Sequence, residues 1–238
     1  MTLPAYRLVN GDTGPKQQSR LTCGSACLTV ARMLVDREFA HWISTGEGVR
    51  PGSPEGASPA ERFAAYEEIV HQRTNTLSIG LSAVNLPWPR ALGTPPWGAK
   101  RELELGAARL GTDYDITIVR PLSQDRLVHA FERVNSVVAE GMPGLLYVGS
   151  RTVPRHVLLI LPGNGDDRLD IYDPTDGSVR ARSVRSFASQ ELRLSGWNVP
   201  WFIVAPSVHR PQRISSLRWL MTPQQSERGV VADPELSR

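Results

Sequence analysis

One stretch near the amino terminus, residues 17–28, decides the fold prediction: Gln-Gln-Ser-Arg-Leu-Thr-Cys-Gly-Ser-Ala-Cys-Leu. Thr22 is a residue type that caps helices, and the mostly apolar residues after it predict a buried helix from about Cys23 to Val35. A cysteine at the start of a helix lies beside unpaired backbone N–H groups, which favour the thiolate over the thiol. The stretch therefore predicts a buried helix with a reactive thiol in its first turn.

Two segments far downstream offer the partners that a cysteine nucleophile needs. His156 opens the aliphatic run His-Val-Leu-Leu-Ile, which is typical of a buried strand, and Asp173 leads from the next predicted strand into the turn Asp-Pro-Thr-Asp-Gly. Two antiparallel strands joined by the polar loop 162–167 can set both side chains on one face, with the carboxylate orienting the imidazole. Each residue alone would be ordinary, but together with Cys23 they predict a Cys-His-Asp nucleophilic site.

The second cysteine and two glutamines complete the expectations for the site. Cys27 lies one turn inside the predicted helix among apolar residues, as small core cysteines do, so we expect Cys23 to be the nucleophile. The alternative that both cysteines are structural stays open, because free cysteines are often buried. Gln17, six residues before Cys23, can donate its side-chain amide to a developing oxyanion together with the Cys23 backbone N–H, and Gln18 is the adjacent alternative.

The composition limits the classes of protein to which the chain can belong. The chain has 238 residues, of which 40% are hydrophobic, so it can build a core and is not disordered as a whole. A net charge of +3 with scattered arginines does not indicate nucleic-acid binding. Two cysteines four residues apart favour free thiols and a reducing compartment. Without a signal sequence or an apolar run of membrane-spanning length, we expect a soluble protein that is cytoplasmic or exported without a cleavable signal peptide.

The order of the predicted elements is helices first and antiparallel strands later, which indicates an α+β fold. We expect a single catalytic domain over residues 1–205 and a carboxyl-terminal tail over 206–238. Within the domain we expect the nucleophile helix at about 22–35, a helical insertion at about 40–112 and the sheet at about 113–205. The individual predictions are a Gly/Pro/Ser-rich loop at 44–60 that overhangs the site, an irregular segment at 77–97, helices at 58–73, 96–110, 124–140 and 183–192, and strands at 114–118, 144–148, 156–161, 168–172, 179–181 and 202–204.

Three motifs together carry a family resemblance: Gln-x5-Cys-Gly-x-Ala-Cys-Leu, then His-Val-Leu-Leu-Ile, then Tyr-Asp-Pro-x-x-Gly. This set resembles the papain-like cysteine peptidases that cut double-glycine leaders from bacteriocin precursors. The resemblance covers about residues 15–35 and 144–205, and it implies a papain-like fold with Cys23 as nucleophile, His156 and Asp173 completing the triad, and Gln17 in the oxyanion hole. The chain departs from the family at Thr22, where an acidic residue is usual, and in the insertion of some 130 residues between nucleophile and histidine.

The expected function is therefore that of a cysteine peptidase acting on a peptide or protein, a hydrolase that would suit a bacterial effector or toxin. One alternative is a glutamine deamidase, other amidase or acyltransferase built on the same triad, and another is an inactive peptide-binding module. No cofactor and no metal are expected, because the remaining histidines lack ligand partners and Arg168 interrupts the acidic stretch at 164–176. A protein inhibitor or immunity partner is compatible with this expected function.

Overall fold

The fold is organised around six strands in the computed structural model, which describes residues 3–48, 54–75, 88–89, 92–139, 141–163 and 167–207. The strands are β1 (Tyr114–Ile118), β2 (Gly144–Gly149), β3 (Pro154–Ile160), β4 (Arg168–Tyr172), β5 (Val179–Ser183) and β6 (Val199–Pro206). They form one sheet in the order β1-β6-β2-β3-β4-β5, and every neighbouring pair is antiparallel. The antiparallel sheet expected from the carboxyl half of the chain is confirmed.

Most helices precede the sheet in the chain. They are α1 (Cys23–Val35), α2 (Arg37–Thr45), α3 (Pro59–Asn75), α4 (Pro96–Glu102), which continues into a π-helical turn (Leu103–Ala107), then α5 (Gln124–Val138) and α6 (Val184–Ala188). The α+β class predicted from the order of elements is therefore confirmed. Among the residues that the structure describes, no helix is long and apolar enough to cross a membrane.

Apolar residues cover both faces of the central strands. In β2, Leu145 and Tyr147 join the core that contains α1, α2 and α3, whereas Leu146 and Val148 join the core that contains α5 and α6. Successive side chains of a strand point to opposite faces, so a strand that is covered on both sides needs apolar residues at nearly every position. This requirement explains why β2 and β3 are continuous apolar runs rather than alternating ones.

Helix α1 lies deep in the first of these cores, where it packs against α2, α3, the π-helical turn and β3. Its small residues permit this close packing, and Gly24 is the tightest point. A Cβ added at Gly24 would lie 2.6 Å from the Cβ of the buried Thr94, closer than two carbon atoms can approach. The beginning of α1 is therefore held against the 92–95 segment by close packing.

Three local predictions need correction. Helix α1 has the predicted bounds, but the Thr22 side chain does not cap it: its hydroxyl donates to the Ser19 carbonyl (2.9 Å) and accepts from the Ser19 N–H (3.2 Å). The helix expected at 96–110 ends at the π-helical turn, where Gly106 has a φ of +141° that no helix continues through. The helix expected at 183–192 stops at Ala188, because the chain turns into a series of positive-φ residues.

Some expectations fall outside the described residues. Helix α2 extends to Thr45, so the predicted 44–60 loop begins two residues later than expected, and residues 49–53 of this loop are not among those described. The same holds for most of the irregular segment, at 76–87 and 90–91, and for 208–238, which contain nearly all of the expected tail. The predicted domain boundaries stay predictions.

Candidate active site

Cys23 is the first residue of α1, and its position follows from how this helix lies on the sheet. One turn further along, the Cys27 thiol donates to the Val157 carbonyl of β3 at 3.4 Å. This contact aligns α1 with β3, so that Cys23 comes next to His156, the residue before Val157. Both thiols are free, and burial raises the pKa of Cys27 well above its ordinary value. Cys27 has the surroundings expected of a core residue.

His156 and Asp173 form a hydrogen bond between neighbouring strands, from His156 Nε2 to Asp173 Oδ1 at 2.9 Å. The register explains the contact: Leu159 pairs with Tyr172, and the same register carried on places His156 opposite Thr175, two residues from Asp173. Residues two apart share a face, so the two side chains meet diagonally. His156 is 6% exposed and Asp173 is fully buried. The structure therefore brings Cys23, His156 and Asp173 into one connected set.

The electrostatics of this set favour the charged forms of His156 and Asp173. Burial alone would lower the pKa of His156, but the hydrogen bonds to Asp173 and Cys23 and the charges of these groups raise it to about 9. Burial alone would raise the pKa of Asp173, but its hydrogen bonds, first of all the bond to His156, lower it to about 2. At neutral pH the imidazolium and the carboxylate are therefore both charged. With Nε2 taken by Asp173, Nδ1 is the ring nitrogen left for the Cys23 sulfur.

Two residues that the sequence did not single out also contact the carboxylate. The Thr175 N–H donates to Asp173 Oδ1 at 3.1 Å, and the Thr175 hydroxyl lies 3.4 Å from His156 Nε2. The Ser195 hydroxyl donates to Asp173 Oδ2 at 2.6 Å. Thr175 could have been found from the turn sequence, because aspartate side chains often accept from the N–H two residues on. Ser195 is 22 residues away, and nothing in its local sequence indicates the contact.

Gln17 lies beside the turn that follows Asp173. Its backbone N–H donates to the Pro174 carbonyl at 2.8 Å, and just before it the Gly14 N–H donates to the Gly177 carbonyl at 2.8 Å. The Gln17 Oε1 is buried, and it has no hydrogen-bond partner among the described residues. Gln18, by contrast, is exposed and donates its side-chain amide to the Lys16 carbonyl at 3.3 Å. Of the two candidates for an oxyanion donor, Gln17 is the one whose side chain is turned into the protein.

A buried carboxylate from α3, also unforeseen from the sequence, supports the segment between Gln17 and Cys23. The Gln18 backbone N–H donates to both oxygens of Glu67, at 3.2 and 3.3 Å. Glu67 is 1% exposed, and this burial raises its pKa to about 6. A glutamate on the polar-looking stretch of a helix gives no sequence signal of its own, so only the packing of α3 reveals this support.

The backbone at Gly93 also lies close to the Cys23 thiol. Gly93 has a φ of +69°, and a Cβ built there would lie 2.8 Å from the Leu21 carbonyl oxygen and 4.0 Å from the Cys23 sulfur. The 92–95 segment therefore runs directly beside the beginning of α1, and Cys23 is only 2% exposed. Among the residues that the structure describes, no group of His, Cys, Asp and Glu side chains is arranged to hold a metal ion.

Comparison with known proteins gives structural matches and no sequence matches. No family model and no curated protein matches the chain. The architecture is similar to that of the peptidase domain of Streptococcus ComA, a bifunctional ABC transporter involved in quorum sensing, with a TM-score of 0.40 and 15% identity over 82% of this chain and 98% of that domain. It is also similar to the Pseudomonas avirulence protein AvrPphB, with a TM-score of 0.43 and 10% identity over 82% of this chain and 97% of that one. At these scores the matches concern general architecture, and the function has to be argued from the residues.

Proposed function

We propose that the protein is a papain-like cysteine peptidase in which Cys23 is the nucleophile, His156 the acid and base, Asp173 the residue that orients the imidazole, and Gln17 an oxyanion donor. One observation carries the proposal: His156, which interacts with Cys23, is hydrogen-bonded to the buried Asp173 at 2.9 Å. A core histidine needs one partner to be satisfied, whereas this one joins a helix-start thiol to a carboxylate that has further donors of its own. That arrangement is what nucleophilic catalysis by a thiol requires.

The chemistry follows from the geometry. In the reactive form, Cys23 is the thiolate and His156 the imidazolium that holds the proton of the pair, and the thiolate attacks the carbonyl carbon of an amide to form a tetrahedral intermediate. The oxyanion accepts hydrogen bonds from the Cys23 backbone N–H and the Gln17 amide, while His156 gives its proton to the departing amine. Water, deprotonated by His156, then attacks the thioester, releasing the acid and restoring Cys23. Asp173 keeps the imidazole ring in place throughout and remains ionised.

The near-complete burial of Cys23 favours an extended backbone with small side chains at the bond that is cut. A peptide or protein segment meets this condition. The same chemistry would suit an effector or toxin that acts on a protein of another cell.

The test is a mass-spectrometric comparison of a bacterial proteome incubated with wild type, Cys23→Ala or Cys27→Ala. We expect wild type and Cys27→Ala to generate the same new peptide termini and Cys23→Ala to generate none. A mass shift of deamidation without new termini would assign the site to side-chain amide chemistry instead. Identical products from wild type and Cys23→Ala would refute a thiol mechanism at this residue.

Rapid alkylation gives a check that needs no substrate. Iodoacetamide is small enough to reach a nearly buried sulfur, and an ion-paired thiolate reacts faster than an ordinary thiol at neutral pH. We expect labelling at Cys23 before Cys27, and we expect His156→Ala to slow labelling at neutral pH because the ion-pair partner is gone. Equal labelling rates in wild type and His156→Ala would contradict the proposed pair.

A further inference from the structure

The contact between Ser195 and Asp173 comes from a hairpin whose backbone is unusual. Leu194 and Trp197 exchange both backbone hydrogen bonds, at 3.2 and 2.8 Å, which leaves Ser195 and Gly196 as a two-residue loop. Their φ angles are +45° and +80°. Two-residue hairpin loops with positive φ at both central positions favour asparagine, aspartate or glycine at the first of them. A serine there is not the residue that the turn itself selects.

The Ser195 hydroxyl makes a hydrogen bond that a glycine at this position could not make. A residue with a Cβ is disfavoured at positive φ, so Ser195 makes the turn less stable than glycine would. Its hydroxyl donates to Asp173 Oδ2 at 2.6 Å, a short bond of the kind that ionised acceptors make. Backbone conformations of this kind persist where the surrounding structure holds them, and they cluster at functional sites.

The hairpin reaches Asp173 because its stem is anchored independently of the site. Leu194 is fully buried in the core formed with α5 and α6, and Trp197 packs against the same core. The Arg193 N–H donates to the Asn198 side-chain oxygen at 2.9 Å and closes the stem. The position of the Ser195 hydroxyl is therefore fixed by packing on the far side of the hairpin.

We propose that Ser195 is a positioning residue for the triad, which fixes the plane of the Asp173 carboxylate so that Oδ1 faces the imidazole. This inference rests on the proposed function. The terminal torsion of an aspartate is soft, and donors on one oxygen alone leave the carboxylate plane free to turn about that contact. His156 and the Thr175 N–H bond to Oδ1, whereas the Ser195 hydroxyl bonds to Oδ2, so the carboxylate is held at both oxygens.

The experiment compares Ser195→Gly with Arg193→Gly. Glycine relieves a positive φ in both variants, because Arg193 has a φ of +51°, but only the first removes a hydroxyl from Asp173. We expect Ser195→Gly to lower kcat about tenfold with little change in KM, the ratio that corresponds to one hydrogen bond to a charged group. Arg193→Gly should keep wild-type kinetics. The substrate is a peptide identified in the proteome comparison.

Titration of the Asp173 carboxyl carbon by NMR provides a second measurement that a purely structural role would not change. Loss of the Ser195 donor should raise the pKa of Asp173, so that its carboxyl group protonates at a higher pH than in wild type and Arg193→Gly. Cys23-dependent turnover that Ser195→Gly leaves unchanged, or a kinetic loss without a shift in this titration, would overturn the inference. Turnover that survives Cys23→Ala would instead refute the proposed function, so the two failures are distinguishable.

Discussion

The start of α1 and the β3–β4 end of the sheet hold their residues of the candidate site by different means. Cys23 is positioned by packing: Gly24 lies against Thr94, Gly93 lies beside the sulfur, and no side chain caps the helix. Asp173, by contrast, accepts hydrogen bonds from a ring nitrogen, a backbone N–H and a hydroxyl. The position of the thiol is therefore sensitive to changes in side-chain volume around it, whereas the imidazole and the carboxylate are sensitive to the loss of a hydrogen-bond donor or acceptor.

The largest difference in activity is expected between variants of Cys23 and Cys27, which both lie in α1. Cys23→Ala should abolish turnover without a large change in stability, because the sulfur is the proposed reacting atom. Cys27→Ala should retain turnover and lower the free energy of unfolding by on the order of 1 kcal/mol, the ordinary cost of truncating a small buried side chain. Peptide-cleavage kinetics and denaturant unfolding of both variants measure this. If the two phenotypes are exchanged, Cys27 is the nucleophile.

At the other end of the site, Asp173→Asn should reduce turnover roughly 10- to 1000-fold. The same change in a serine triad costs about 10⁴-fold, but a thiolate–imidazolium pair can form without its carboxylate, so the loss should be smaller. The measurement is kcat/KM, with circular dichroism to confirm that the fold is retained.

The matched control is Asp176→Asn, three residues further along the same turn. Asp176 accepts from the Ser178 N–H (3.0 Å) and hydroxyl (2.6 Å) and pairs with Arg180 (2.6 Å), and no hydrogen bond to His156 is among its contacts. We expect its variant to keep most of the turnover. A silent Asp173→Asn together with a damaging Asp176→Asn would mean that the carboxylate is wrongly assigned.

Because close packing positions Cys23, we expect a larger side chain at Gly24 to change the stability of the protein. Gly24→Ala should lower the free energy of unfolding by about 1–2 kcal/mol, because the overlap with Thr94 costs more than the gain of about 1 kcal/mol that alanine brings to a helix. Thr94→Gly removes the Cβ that causes the overlap, so in that background Gly24→Ala should be neutral or stabilising. A double-mutant cycle by denaturant unfolding measures the coupling, and additive effects would show that the contact is not tight.

The smallest expected effect concerns Glu67, which supports the segment that leads into α1. Its pKa in the folded protein is about 6, above the ordinary 4.5, so the folded state binds a proton more readily than the unfolded state does. This contribution to stability is present below about pH 4.5 and is lost as the pH rises through about 6. Glu67→Gln should remove the dependence, which is worth on the order of 1 kcal/mol.

Urea unfolding of wild type and Glu67→Gln at several pH values between about 4 and 7.5 measures this difference. The contributions of His156 and Asp173 are common to both proteins and cancel in the comparison. Parallel stability curves over this range would mean that Glu67 keeps its ordinary proton affinity.

The elements that the sequence predicted best are those with a signal along the chain. The bounds of α1 at Cys23–Val35 and of β1 and β4 agree with the prediction, because each has a continuous apolar or alternating pattern. Predictions failed where they depended on the type of a single residue. Thr22 looked like a cap, but its hydroxyl turns back to Ser19, and the helix after Pro96 ended early because Gly106 takes a positive φ. The catalytic roles of Cys23, His156, Asp173 and Gln17 stay predictions until they are tested.

The sequence alone predicts the α+β order, the buried helix with a thiol at its start, and two successive strands that can set His156 and Asp173 on one face. These follow from periodicity, which is a property of neighbouring residues. Only the tertiary structure shows that the Ser195 hydroxyl donates to Asp173 Oδ2, that Glu67 accepts from the Gln18 N–H, and that Gly93 lies beside the sulfur. These contacts join residues far apart in the chain, and they exist only because packing on both faces of the sheet fixes where each distant segment lies.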